Sequence, residues 1–144
     1  MRIAKNFILQ EFVPRRLMKH MGNKAALYLN PELIKGMQAI RTDLGKPIEV
    51  NNWFNYKKGG NNFRGYREPY CEVGAKYSMH KFSLAVDFEV KGMTIRDVHD
   101  YLKDREEFIM GLGFTRVEHR SHTPSWCHLD MSPTGMDKLH FFKP

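Results

Sequence analysis

A chain of 144 residues that is 42% hydrophobic, 12% aromatic and 27% charged has the composition of one folded domain, over residues 1–144, and excludes fibrous or disordered classes. Its formal net charge of +7 favours an anionic partner, whether nucleic acid, an acidic membrane surface or a cell-wall polymer. No apolar run approaches the ~18 residues of a membrane span, and "MRIAKNFILQEFVPRR" carries no hydrophobic stretch of the signal-peptide kind, so cytoplasmic synthesis without export by that route is expected.

In chain order, the spacing predicts a helix over 31–44, "PELIKGMQAIRTDL". Asn30 suits the N-cap and Pro31 the first turn. Leu33, Ile34, Met37, Ile40 and Leu44 recur at helical spacing, and Gly45 stops the run. Pro47 leads into a short strand over "IEVNNW". Residues 55–76 are rich in Gly, Asn and charge and read as a long irregular loop; Phe63, Tyr66 and Tyr70 argue for function rather than disorder. Residues 84–90, "LAVDFEV", alternate as a strand, with Leu84, Val86, Phe88 and Val90 on one side and Ala85, Asp87 and Glu89 on the other. Thr94 is expected to cap a helix carrying Ile95, Val98 and Leu102 that ends near Gly111 and Gly113. "FTRVEHRSHTPSWCHLDM" reads as two strands joined by a polar turn with Pro124. The expectation is an α+β domain with a small, mostly antiparallel sheet flanked by helices. Cys71 and Cys127 fit neither a disulfide framework nor a zinc ribbon and are read as reduced.

Asp87 poses the chemical question. A carboxylate inside an apolar strand is costly unless something pairs with it or binds it. In "WCHLD", Trp126, His128 and Asp130 share one strand face. If the preceding strand folds back so that Glu118 lies opposite His128, Glu118 joins that face; a slip of one residue would remove it. Asp87 and His128 then come from strands and His80 from the loop. Two histidines and one carboxylate form a three-ligand zinc set with a fourth position open to water. The same residue types also suit a buried salt bridge or a pair that orients another group.

"SMHKFSLAVD" resembles the Ser-x-His-x-x-Gly-x-Ala-x-Asp signature of the D-Ala-D-Ala carboxypeptidase and L-Ala-D-Glu endopeptidase family of zinc peptidases, whose fold is shared with the Hedgehog signalling domain. Ser78, His80, Ala85 and Asp87 match, and "WCHLD" resembles the family's Trp-x-His strand at Trp126 and His128. "NFILQEF" and "NNW…RGYR" are also similar to small phage and bacterial members, so the likeness spans most of the chain. The resemblance implies zinc on His80, Asp87 and His128, with Ser78 in the substrate site. It also implies an arginine holding a substrate carboxylate, for which Arg67 is the best match and Arg64 the next.

Two departures stand out. The family glycine is Ser83 here, and the family's glutamate three residues before the last histidine is Ser125, which cannot act as a base. Asp130 and Glu118 are the replacement candidates, Asp130 slightly favoured; either could instead orient His128, and His119 and His122 are further options. The resemblance thus implies a zinc peptidase acting on peptidoglycan peptide stems, such as a phage lysin acting on the host wall. The alternative is a catalytically inactive zinc-binding module of the same fold, such as a virion component. Nucleic acid is a less favoured partner, because no nucleic-acid-binding motif accompanies the charge.

Overall fold

The computed structural model describes residues 1–144. Strands β1 (Arg2–Ala4) and β2 (Phe7–Ile8) form a two-stranded antiparallel sheet. Helices α1 (Arg15–Met21) and α2 (Pro31–Leu44) follow. The second is the helix the spacing predicts. The Asn30 side chain accepts a hydrogen bond from the Glu32 N–H, Pro31 occupies the first turn, and Gly45 closes the helix in the left-handed conformation.

A five-stranded sheet holds β3 (Ile48–Glu49), β4 (Ala85–Val90), β5 (Arg116–Glu118), β6 (Cys127–Asp130) and β7 (His140–Phe142), in the order β3-β4-β6-β5-β7. Adjacent strands are antiparallel except β5 and β7, which run parallel, so the sheet is mixed. Strand β7 lies beyond the expected closing hairpin. It puts Phe141 and Phe142 beside Val117 and Glu118. The strand after Pro47 is only two residues long; the chain then turns at Trp53–Asn55.

Between β4 and β5 lie α3 (Ile95–Asp104) and α4 (Glu106–Gly111), where a single helix was expected. The break falls at Arg105, whose guanidinium makes two hydrogen bonds to Asp43 of α2, at 3.0 and 3.2 Å, and stacks over Phe108. Thr94 caps α3 reciprocally with Asp97.

Strand alternation divides the sheet chemically. Val86, Phe88 and Val90 of β4, Val117 of β5 and Cys127 and Leu129 of β6 face the core, where they join Leu33, Met37 and Ile40 of α2 and Val98 and Leu102 of α3. Burying this face is the main favourable term of the fold. The opposite face carries Asp87, His128, Asp130, Arg116 and Glu118. The long segment between β3 and β4 borders it, with Arg67, Val73 and His80 among the residues lining a cleft beside Asp87 and His128. That segment is tied down at its backbone: Tyr66 N–H donates to the Phe12 carbonyl (2.7 Å), Asp87 N–H to the Arg64 carbonyl (2.8 Å) and Arg67 N–H to the His80 carbonyl (3.1 Å). Arg15 holds its start, donating to the Trp53, Tyr56 and Lys57 carbonyls. No helix is long and apolar enough to cross a membrane.

Candidate metal centre

Asp87 and His128 are directly opposed across β4 and β6. Cross-strand neighbours on one face stand close enough for side chains to meet, and His128 Nδ1 lies 2.8 Å from Asp87 Oδ1. His80 enters from a 3-10 turn, Met79–Phe82, capped by the Ser78 hydroxyl. Its Nε2 is 3.3 Å from both His128 Nδ1 and Asp87 Oδ1. All three residues are buried.

These separations can be tested against a cation. Ligand atoms around a tetrahedral zinc with bonds of ~2.0–2.1 Å lie about 3.3 Å apart. Both distances from His80 match, and the 2.8 Å pair needs to open by only about 0.5 Å. The outward atoms fit as well. His80 Nδ1 lies 2.8 Å from the Gly65 carbonyl, which can only accept, so Nδ1 carries the proton and Nε2 offers its lone pair. His128 Nε2 lies 3.0 Å from Asp130 Oδ2, an arrangement that leaves Nδ1 as its ligand atom. Asp87 gives its second oxygen to Arg67 at 3.1 Å and keeps Oδ1 for the site. The donor set and its supports therefore fit a divalent ion such as zinc.

Electrostatics shows the same demand for a cation. Burial alone would raise the Asp87 carboxyl, but His80 and His128 outweigh it and hold the group well below the usual carboxylate range. Burial likewise opposes charge on His128, yet its bonds to Asp130 and Asp87 push it up to about 9. Burial lowers His80, with Asp87 acting against that shift.

Two glycine-like positions build the frame. A side chain at Gly65 would run into the Phe12 backbone, so only glycine brings the carbonyl that orients His80 so close to that segment. Ser83 ends the His80 turn at φ 55° and ψ 35°, a left-handed conformation that favours glycine. Serine is held there by its hydroxyl, which accepts from the Asn30 N–H at 2.8 Å.

The site opens into a cleft of about 490 Å³ whose walls include Arg67, Ser78, Arg116, Glu118, Trp126 and Phe142. A larger groove, about 980 Å³, lies between β1 and α2 and is bordered mainly by apolar residues, away from the metal-ligating cluster.

The sequence-predicted residues divide clearly. Of the two carboxylate candidates, Asp130 has no exposed surface. It accepts from Arg116 Nε (3.0 Å), Arg116 Nη2 (2.8 Å), the Ser132 N–H (3.0 Å) and His128. Glu118 is half-buried and lines the cleft, and its carboxylate forms no hydrogen bond or ion pair with the protein. The β5–β6 register pairs Arg116 with Asp130 and Val117 with Leu129; continued by one residue, the same register sets Glu118 opposite His128. Arg67 reaches the cleft but is 8% exposed and donates to the Phe63 carbonyl, the Val73 carbonyl and Asp87. Arg64 is not brought there; it pairs with Glu89 at 2.6 Å. His119 lies beside Arg120 and Pro124 in a separate groove, and His122 and Ser125 are exposed. Sequence reasoning missed Arg116, although its place two residues before Glu118 puts both on one strand face. Comparison with protein-family models, curated proteins and solved structures gave no match, so the geometry of this site carries the functional argument.

Proposed function

We propose that the protein is a zinc-dependent peptidase that hydrolyses an amide bond in peptidoglycan peptide stems. One observation carries the reading: three ligand atoms converge with their outer atoms already held, in an open cleft that also contains a carboxylate with no protein partner. Bound zinc would polarise a carbonyl and make hydroxide available near neutral pH. His80, Asp87 and His128 would hold it. Glu118 would take the proton of the attacking water and return it to the leaving amine. Arg116 and Asp130 would keep His128 in its tautomer, and Arg67 would fix Asp87. The cell-wall substrate rests on the motif likeness at "SMHKFSLAVD" and "WCHLD" and on the net charge of +7, as does assignment to a phage lysin acting on the host wall.

A second reading, a zinc-binding module without catalysis, is favoured by exposed Ser125, which stands where the resembling family places its glutamate. Digestion of purified peptidoglycan by zinc-loaded protein, with mass spectrometry of the products, separates the two. New amine and carboxyl ends at one stem bond support the peptidase. Full zinc loading with no cleavage supports the inactive module.

A further inference from the structure

The two cleft arginines are engaged differently. Every nitrogen of Arg67 has a protein acceptor, and the residue is 8% exposed. Arg116 uses only two. Its Nε and Nη2 grip Asp130, and its guanidinium carbon lies 4.2 Å over the Phe142 ring. Its Nη1 meets no protein acceptor, and the side chain is 26% exposed. A guanidinium nitrogen of this kind carries two N–H donors. Here they belong to a cation already immobilised by its partner and by stacking, so little freedom is lost when a ligand engages them.

Position adds to this. Arg116 and Glu118 stand on one face of β5, about 7 Å apart along the strand. That is the span of about two extended peptide residues. We propose that Arg116, through Nη1, is the specificity-determining residue that recognises a peptide carboxylate close to the bond to be cut. Arg67 is then a positioning residue for Asp87. The inference rests on the peptidase reading for the place of the bond, while recognition of the carboxylate can be tested without turnover.

Zinc-loaded protein is titrated, with nuclear magnetic resonance detection, with N-acetylalanine, the α-amide of N-acetylglutamate, and neutral N-acetylalaninamide. The first carries a terminal carboxylate and the second a side-chain one. The proposal expects one acid to bind about 10- to 100-fold more tightly than the neutral amide, the worth of a charge-assisted hydrogen bond. Whichever acid is preferred identifies the source of the carboxylate. Arg116→Gln and Arg116→Lys, each compared after loading to one zinc per chain, should erase the preference; the lysine variant keeps a charge for Asp130. No preference in the wild type overturns the proposal. So does a preference that survives both variants, or one erased only by Arg67→Lys. If the preference behaves as expected but zinc-loaded protein cuts no peptidoglycan, the peptidase reading fails and carboxylate recognition stands.

Discussion

Changing Asp130 to asparagine separates an orienting carboxylate from a catalytic base. The substitution keeps the shape and removes the charge. Asp130 receives donors on both oxygens: Ser132 N–H and Arg116 on one, His128 and Arg116 on the other. An asparagine amide has one acceptor oxygen and one donor group. Either rotamer therefore sets its NH₂ against existing donors, leaving at least one buried group unsatisfied at about 1–3 kcal/mol. Arg116 also loses its ionic partner, so a total of about 2–4 kcal/mol is expected. For a domain of this size, that lowers Tm by roughly 5–15 °C. Zinc affinity, measured by competition with a chelator, should fall about 10- to 100-fold, because His128 loses the carboxylate that fixes its ring. An unchanged Tm and zinc affinity combined with a large loss of hydrolysis would refute the reasoning and make Asp130 the base.

Further outcomes follow from the same geometry. Glu118→Gln should cut hydrolysis of peptidoglycan by about 10²–10⁴ with zinc content intact, because it removes the cleft carboxylate that has no other partner; undiminished turnover rejects Glu118 as base. Ser83→Gly should change stability by no more than about 1 kcal/mol, since relief of the left-handed backbone offsets loss of the bond from Asn30, whereas Ser83→Val, β-branched at positive φ, should destabilise clearly in denaturant melts. Gly65→Ala should both destabilise the fold and weaken zinc binding, by displacing the carbonyl that orients His80. His99 is buried at 3% exposure, its Nε2 has no partner, and burial, with Arg120, Lys103 and His119, holds its pKa down to about 4. The unfolded chain takes up this proton first, so the stabilising contribution of neutral His99 is lost as pH falls from about 6.5 towards 4. His99→Gln should flatten that part of the stability–pH curve, and an unchanged slope would show that His99 does not set it.

Much of the site is readable from local rules. Alternation placed Asp87 on one face of its strand, and the hairpin register placed Glu118, His128 and Asp130 on one face of the adjoining strands. The first follows from the two-residue period of a strand; the second also needed an assumed hairpin register, which the period does not set. What was not readable depends on long-range pairing. Strand β7 is three residues long, and its parallel partner β5 lies more than twenty residues earlier, so no turn signal announces it. The division of labour between Asp130 and Glu118 depends on Arg116 lying across the sheet, where it occupies one carboxylate and leaves the other free. The commitment of Arg67 to three protein acceptors depends on how the segment over 55–76 folds back, which its Gly- and Asn-rich sequence does not encode by periodicity. Ser83 departs from the resembling family's glycine; its reason, a left-handed turn end held by the Asn30 N–H, depends on the tertiary partner.

The most direct test of the metal centre is the zinc content of the purified protein after dialysis against buffered micromolar zinc, beside that of the His80→Ala, His128→Ala double variant. One zinc per wild-type chain and none in the double variant is expected, with ligand protons displaced by the metal and released to the buffer. A wild-type chain that takes up no zinc, or a double variant that keeps a full equivalent, would contradict the metal assignment.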